Sequence, residues 1–374
     1  MTSLVFCGDG SWAGPDRDDL PNTASPPGNV FRIFASLAGR DDPLGLLLRD
    51  EQERSAAGQV AKFLRCTGDP GNPLPAMLGG GKEAFALARI IRGYTFLSRN
   101  YVPGDRIFLV GFSRGAYTAR ALAGLIAARG LLDAAVQDRR HAYRLAAAVW
   151  HDWRREVGGR AYWRNGLADL VRDLPGFVSA PATEARVAAP VEAVAVWETV
   201  GQLGIPDYWG MTSREDVFRF ADIVLPANVQ YGFHVLGIDE RRADFAPTWW
   251  EPDPRIIQCL VPGSHEDAGG GYPMVNNESG LSDASFAWMR DHLAAIGLEF
   301  APAPPFDIAP DCYGTAHQPW TEFPFSSRAQ GPRELLPGLT VSQIARDRLA
   351  GGPVLPAPHL PPRPYKPINL SGYL

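Results

Sequence analysis

A single serine lies between two glycines where an apolar, strand-like run changes into a helix-like pattern. The stretch runs from Arg106 to Val110 as the strand, continues as Gly-Phe-Ser-Arg-Gly over 111–115, and ends in an alanine-rich segment. The pentapeptide fits G-x-S-x-G, the nucleophile elbow, in which a sharp turn presents the serine hydroxyl above the carboxyl ends of the strands. Flanking glycines avoid collisions with the strand and the helix, and the helix N-terminus offers N–H groups to an oxyanion. We therefore expect Ser113 to be a nucleophile; an ordinary tight turn is the alternative.

A serine nucleophile needs a histidine base, and all seven histidines follow Ser113 in the chain. His265 stands out because it follows the strand-like "RIIQCLV" after a Pro-Gly turn and precedes "EDAGGGY". A loop at the carboxyl end of a strand is where a sheet hydrolase carries its base. The remaining histidines lie on helix-like segments, among apolar residues or in a proline-rich tail: His141, His151, His292, His234, His317 and His359. We expect His265 to be the base and His234 to be structural.

The acid that orients the base should lie between the serine and the histidine in the chain. Glu198 ends the strand-like "VEAVAVWE" and meets that requirement. Asp207 and Asp239 are the alternatives, and Glu198 could also be a charged residue that ends a strand in solvent. Adjacent side chains such as His265, Glu266 and Asp267 do not easily converge on one ion, so we expect no metal and no cofactor.

Composition excludes several classes of protein. The chain has 374 residues, 45% of them apolar, and a formal net charge of -5, which suits a large core and does not suit nucleic-acid binding. Four scattered cysteines without CxxC spacing predict free thiols: Cys7, Cys66, Cys259 and Cys312. The N-terminus resembles neither a signal peptide nor a membrane span, and no other apolar run is long enough to span a membrane. We expect a soluble protein of the cytoplasm.

Strand-like and helix-like segments alternate along the chain. The predicted strands are 3–7, 106–110, 191–198 and 255–263, and the predicted helices are 29–39, 83–100, a segment from Arg114, and 281–297. We place Asn29 and Ser282 at the helix caps and Gly39 and Gly297 at the helix ends. The alternation predicts an α/β fold with a mostly parallel sheet and helices on both faces.

Two segments interrupt this alternation within a hydrolase domain predicted over residues 1–300. Residues 133–190 carry aromatic residues among charges, which fits either a helical lid that meets an interface or a surface helical pair with packing aromatics: Trp150, Trp153, Tyr162, Trp163 and Phe177. Residues 301–374 hold 15 of the 34 prolines, so they cannot supply central strands. We expect this tail to wrap the domain in extended form, with one helix near Val341–Leu349.

Several segments together resemble the type VI secretion phospholipase effectors of the first lipase class and their wider family of uncharacterised α/β-hydrolase-like proteins. They run in the family's order: "VFCGDGSW", "YVPGDRIFLVGFSRGAYTARALAGLI", "VAVWETVGQLGIP", "GIDERRADFAP", "PGSHEDAGGGY" and "LSDASFAWM". The resemblance implies Ser113 as nucleophile and His265 as base, in a segment that also carries Asp267. The family's acid, an aspartate, falls on Glu198.

The resemblance also concerns the groups that would hold the oxyanion. It implies that the loop of Asp9, Gly10 and Ser11 lies beside the nucleophile. We infer an oxyanion hole from the N–H of Arg114 and the N–H of Gly10 or Ser11.

The expected activity is hydrolysis of a carboxylic ester through an acyl-enzyme, with a phospholipid or related acyl ester as substrate. Aromatic and sulfur side chains after the acid strand could line the substrate site or belong to the core: Tyr208, Trp209 and Met211. Expected partners are a membrane surface contacted transiently, a component of the type VI secretion machinery and an immunity protein. A soluble esterase with another substrate and a non-catalytic binding module are the competing interpretations.

Overall fold

The computed structural model describes residues 1–10, 26–41, 51–65, 82–133, 138–164, 186–200, 223–323, 325–371 and 373. Within these ranges, none of the helices combines the length and the apolar character needed to cross a membrane. The three cysteines in the described residues, Cys7, Cys259 and Cys312, are free thiols as predicted, and Cys66 lies outside them.

A sheet of nine strands organises the described part of the chain. The strands are β1 (Ser3–Gly8), β2 (Arg40–Asp41), β3 (Glu51–Ala56), β4 (Gln59–Leu64), β5 (Arg106–Phe112), β8 (Val191–Trp197), β9 (Val229–Gly237), β10 (Ile256–Val261) and β11 (Thr340–Val341). Their order is β11-β10-β9-β8-β5-β1-β4-β3-β2. All neighbours pair in parallel except β2 with β3 and β3 with β4. The sheet is therefore mostly parallel, as the sequence predicts.

The register of the central strands brings their carboxyl ends to one edge of the sheet. Gly8 on β1 pairs with Gly111 on β5, and Phe112 pairs with Trp197 on β8. Trp197 in turn pairs with Val235 on β9. The loops that follow these strands consequently meet at the same edge, where ligands bind in parallel sheets.

Helices cover both faces of the sheet because successive side chains of each buried strand point to opposite faces. The helices are α1 (Asn29–Ser36), α2 (Lys82–Asn100), α3 (Arg114–Arg129), α4 (Arg139–Arg164), α5 (His265–Gly269), α6 (Gly280–Ala295) and α7 (Gln343–Ala350). Leu4 and Phe6 of β1 belong to the core that contains α2, α3 and α4. Val5 and Cys7, which alternate with them, belong to the core that contains α1 and α6.

The structure corrects two of the predicted helix caps. Gly28, not Asn29, precedes α1, and the Asn29 amide instead donates to the carbonyl oxygens of Ala268 and Ser282. Ser279, not Ser282, caps α6. Asn29 is instead the first residue of α1, and Ser282 is the third residue of α6.

The end of α1 differs from the predicted end at Gly39, whereas the end of α6 agrees with the prediction at Gly297. α1 ends at Ser36, before Gly39, because the backbone then pairs with the segment after α6: Ala38 N–H donates to Glu299 O, and Ala301 N–H donates to Ser36 O. Gly297 has a φ of +88° just beyond α6 and ends that helix as predicted.

Within 133–190 the structure describes one long helix and one short strand. Helix α4 is followed by β7 (Arg186–Val187), which pairs with β6 (Leu131–Leu132) in a small second sheet. Trp150 and Trp153 are buried in the core that α4 shares with α2 and α3. These two aromatic residues are packing residues; Phe177 lies outside the described residues.

The proline-rich tail begins against α1 and α6 and continues to the β10 edge of the sheet. Its strand β11 adds two residues beside β10, and helix α7 lies close to the helix predicted near Val341–Leu349. Val341 and Ala345 pack with Leu236, Leu260 and other apolar residues in a third core cluster. The tail therefore contributes an edge strand, in agreement with the exclusion of prolines from central strands.

Candidate active site

Ser113 occupies a strained turn between β5 and α3. Its φ of 55° and ψ of -118° are unusual for a residue with a side chain, and it is buried. A Cβ at Gly111 would lie 2.4 Å from Gly115 O, and a Cβ at Gly115 would lie 1.9 Å from Gly8 O. The glycines of the pentapeptide are thus required by close backbone contacts, and the Ser113 N–H donates to Trp197 O at 3.0 Å, at the end of β8.

His265 begins the short helix α5 directly after β10. Ser264 precedes it, and both the N–H and the hydroxyl of Ser264 donate to Asp267, at 2.8 and 2.9 Å. The imidazole lies against the rings of Phe112 and Phe245, with centroids 4.6 and 4.9 Å away. The ring is therefore held in place by packing next to the residue that precedes Ser113, and Asp267 supports the turn that carries it.

A hydrogen bond joins the imidazole of His265 to the carboxylate of Glu198. His265 Nδ1 lies 2.8 Å from Glu198 Oε2, and both side chains are buried. An ionised carboxylate only accepts hydrogen bonds, so Nδ1 carries the hydrogen. The neutral imidazole then has its lone pair on Nε2, which is the tautomer that a general base requires.

Glu198 is fully buried and its two carboxylate oxygens are both engaged. Oε1 accepts from the N–H of Gly237 at 2.6 Å and from Nη1 of Arg333 at 2.6 Å, while Oε2 also accepts from Nη2 of Arg333 at 2.8 Å. Burial alone raises the pKa of the Glu198 carboxyl, but Arg333 and the hydrogen bond with His265 outweigh it and hold the pKa well below its usual range. Glu198 is therefore ionised at neutral pH.

A second group of charges supports the backbone of His265. Glu240 accepts from the His265 N–H at 3.1 Å and from the guanidinium of Arg242 at 2.9 and 2.8 Å. Arg242 also pairs with Glu266 at 3.0 Å. Burial raises the pKa of Glu240, but the charge of Arg242 more than compensates, so the pKa of this carboxyl is lowered. These pairs fix the loop after β9 against α5.

The groups expected to hold an oxyanion lie close to Ser113. A Cβ at Gly10 would lie 1.8 Å from Phe112 O and 2.6 Å from the Cβ of Ser113, so Gly10 packs directly on the elbow. Its N–H donates to Oδ1 of Asp9 at 2.8 Å. Arg114 is the first residue of α3, and its N–H therefore has no acceptor within the helix.

Five residues named from the sequence lie outside the described part of the chain. Ser11, Asp207, Tyr208, Trp209 and Met211 fall in segments that the structure does not describe.

The two remaining alternatives to the proposed base and acid have other partners. His234 is buried within β9 and accepts from the N–H of Thr199 at 3.2 Å. Its pKa is lowered to about 3, mainly because the imidazole is buried. Asp239 accepts from Gly263 N–H at 2.7 Å and from the hydroxyl of Tyr365 at 2.9 Å. These three hydrogen bonds hold the two side chains within the fold.

Sequence reasoning missed the residues that support Glu198 and His265. Arg333 lies in a proline-rich stretch, "GPRELLPG", with no local pattern that would indicate a buried arginine. Glu240 and Arg242 belong to "GIDERRADFAP", a segment noted only for its resemblance to a family. Their roles depend on contacts between distant parts of the chain, so no spacing in the sequence could have revealed them.

The mostly parallel sheet, the serine at a strand–helix turn and the histidine–carboxylate pair at the same edge define a protein of the α/β-hydrolase type. Residues 2–292 match the catalytic domain of the Tle1-like phospholipase effectors of the type VI secretion system. The chain belongs to this family.

Individual relatives are more distant. A curated protein of Saccharomyces cerevisiae, the uncharacterised YEL023C, is 27% identical over 176 residues, which are 46% of this chain and 23% of that protein. An uncharacterised Pseudomonas aeruginosa protein of known crystal structure is 14% identical, with a TM-score of 0.40 over 93% of this chain and 50% of that one. The structure of the Tle1 effector bound to the VgrG spike is also 14% identical, with a TM-score of 0.33 over 74% of this chain and 52% of that one. The chain thus spans about a quarter of the curated relative and half of the solved structures.

Proposed function

We propose that the protein hydrolyses carboxylic esters of phospholipids, with Ser113 as nucleophile, His265 as general base and Glu198 as the orienting acid. The observation that carries this proposal is the 2.8 Å hydrogen bond between Glu198 and His265 Nδ1, buried at the sheet edge where the strained Ser113 lies. Membership of a phospholipase effector family supports the choice of substrate.

The proposed reaction follows from the protonation states of these groups. His265 Nε2 takes the proton of Ser113 as Oγ bonds to the ester carbonyl carbon, and the N–H groups of Arg114 and Gly10 stabilise the oxyanion. Nε2 then gives the proton to the departing alcohol, which leaves an acyl group on Ser113. Water, deprotonated by the same nitrogen, attacks the acyl carbon, and the carboxylic acid is released as Ser113 regains its proton.

The charges around the base favour the proton transfer in this scheme. The carboxylate of Glu198 lies 2.8 Å from Nδ1 of His265. Protonation of His265 places a positive charge beside this anion, which stabilises the imidazolium of the transition state relative to the ground state.

The oxyanion hole needs one adjustment in this proposal. The Gly10 N–H donates to Asp9 Oδ1, so a substrate oxyanion must share this donor or replace the carboxylate. We propose that substrate binding releases this contact, since two anionic acceptors at one N–H repel each other.

The partners and the delivery route are part of the same proposal. We propose that the protein is delivered by a type VI secretion system, contacts a component of that machinery, and meets a membrane surface transiently, with an immunity protein in the producing cell. The support is the family to which residues 2–292 belong.

The experiment compares phospholipid vesicles with a short soluble acyl ester. We expect the parent to hydrolyse both and Ser113→Ala to lose about 10⁶-fold in turnover on both, because the nucleophile is absent. His234→Gln is the matched control, since His234 is buried close to Glu198 but has structural partners. Activity that survives in Ser113→Ala would contradict the proposal.

A further inference from the structure

Arg333 connects the proline-rich tail to the candidate active site. Arg333 is buried, and its guanidinium forms a two-pronged contact with both oxygens of Glu198. The same two nitrogens donate to Gly237 O at 2.8 Å and to Phe245 O at 3.1 Å. Four hydrogen bonds therefore fix this side chain in a single orientation, and the planar fork of arginine matches a carboxylate in this geometry.

The contact matters because Glu198 is completely removed from solvent. A buried carboxylate without a cation tends to bind a proton, since burial disfavours the charged form. A protonated Glu198 could no longer accept from His265 Nδ1 as an anion. The only guanidinium that contacts Glu198 in the described residues is that of Arg333.

Arg333 also lies outside the part of the chain that matches the family. The match ends at residue 292, and Arg333 follows 41 residues later in the tail. Neighbouring tail residues hold it there: Asn369 donates to the carbonyl oxygens of Arg333 and Ile238, at 3.1 and 2.9 Å. The site is thus completed by a residue from a different region of the molecule.

We propose that Arg333 is a positioning residue of the hydrolase: it holds the Glu198 carboxylate ionised and oriented on His265, so that the active site is complete only with the tail in place. This inference rests on the proposed function. Arg333 acts through Glu198, since its guanidinium donates to Glu198, Gly237 and Phe245.

The proposal predicts a change in the pH dependence of hydrolysis. Loss of the Arg333 charge removes the cation that is paired with Glu198, so the carboxylate favours the imidazolium of His265 more strongly, and the loss also favours protonation of Glu198. Both effects move the low-pH limb of the activity profile to higher pH, as one coupled titration. The other charged or titratable groups that face this pair stay unchanged: His234 on β9, Glu240 and Arg242 after β9, and Glu266 and Asp267 on α5.

The experiment measures kcat/KM against pH for the full-length parent, Arg333→Gln and Arg333→Lys. We expect the low-pH limb of Arg333→Gln to shift upward by about one pH unit. Lysine keeps the charge but cannot form the fork, so Arg333→Lys should shift by less than half of that and recover most of the activity. If Arg333→Gln does not fold, Arg333→Met, which also lacks the charge, takes its place, and a low-pH limb and kcat identical to those of the parent in a folded uncharged variant would overturn the proposal.

Arg348→Gln is the matched control for the tail. Arg348 is also a buried tail arginine, but it donates to the carbonyl oxygens of Cys312 and Gly314, at 2.5 and 2.8 Å. We expect this variant to melt at a lower temperature without moving the low-pH limb. An equal shift in both variants would assign the effect to the packing of the tail and overturn the role of the Arg333 charge.

A second readout separates this inference from the proposed function. Proton NMR of the His265 Nδ1–H follows the titration of the imidazole without any substrate. An upward shift of its midpoint in Arg333→Gln supports the inference even where no Ser113-dependent hydrolysis is detected, which would overturn only the function. Hydrolysis that depends on Ser113, together with an unmoved midpoint and limb, would overturn only the inference.

Discussion

Ser113 and Glu198 both have backbone conformations that disfavour side chains. Their φ angles are +55° and +47°, and each lies immediately after a strand of the sheet. Such conformations cost about 1–3 kcal/mol each and persist where the surrounding structure enforces them. The flanking glycines made Ser113 predictable from sequence, because the requirement is local. The strain at Glu198 and its pairing with Arg333 were not predictable, because they depend on residues 135 positions apart.

The strain at Ser113 leads to a prediction about stability. Glycine tolerates this φ and ψ, whereas alanine keeps the Cβ that causes the strain. We expect Ser113→Gly to be more stable than Ser113→Ala by about 1 kcal/mol, although both are inactive. Chemical denaturation of the two variants measures the difference. An alanine variant at least as stable as the glycine variant would show that the turn is unstrained.

Glu198→Gln tests the orienting acid. The amide cannot act as an anionic acceptor for His265 Nδ1, so turnover should fall on the order of 10²–10⁴-fold. It also leaves the buried Arg333 without its counter-charge, which should cost about 3–5 kcal/mol of stability. Glu198→Asp keeps the charge and should be intermediate in turnover. Turnover and stability close to those of the parent in Glu198→Gln would reduce Glu198 to a strand-end charge.

At the level of elements, the site depends on the alignment of β1, β5 and β8. The sequence predicted these strands and α3 because their apolar runs and helix periodicity are strong. It misplaced the caps of α1 and α6, because the Asn29 amide donates to Ala268 O and the Ser282 hydroxyl donates to Ser279 O at the start of its own helix. It also gave no strand for 51–56, 59–64 or 229–237, where charged or mixed residues obscure the strand pattern.

Gly115→Ala tests the contact between β1 and α3. The added Cβ would lie 1.9 Å from Gly8 O, so the N-terminus of the helix must move away from the strand. We expect the free energy of unfolding to fall by about 1–3 kcal/mol. Hydrolysis should also be lost, because the oxyanion donors move with the helix. Gly331→Ala is the control, since nothing lies within 4 Å of its added Cβ. Equal melting temperatures for Gly115→Ala and the parent would contradict this packing.

At the scale of the whole molecule, the tail contacts the sheet edge that carries the candidate site at several points. Besides the Arg333–Glu198 contact, His317 Nδ1 lies 2.7 Å from Asp267 Oδ1, and Nε2 lies 3.4 Å from Glu278 Oε2. The prolines predicted that the tail stays out of the centre of the sheet. They could not predict these side-chain contacts, which join residues 39 to 135 positions apart.

His317 makes the attachment of the tail dependent on pH. Burial lowers its pKa, but Asp267 and then Glu278 more than compensate, so the pKa is raised. A raised folded-state pKa gives stability that is fully present below the unfolded value of about 6.5 and is lost as the pH rises through the folded value. We expect His317→Gln to melt well below the parent at pH 6 and closer to it at pH 9. A difference that stays constant or grows with pH would contradict this assignment.

The central claim is that Ser113 is a nucleophile activated by His265. Mass spectrometry of the protein after reaction with a fluorophosphonate probe tests it most directly, because the probe bonds to an activated serine oxygen and releases fluoride. We predict one adduct, on Ser113, which is absent in Ser113→Ala, forms far more slowly in His265→Ala, and forms at the parent rate in His234→Gln. An adduct on another residue, or labelling of Ser113 at the same rate without His265, would contradict the account.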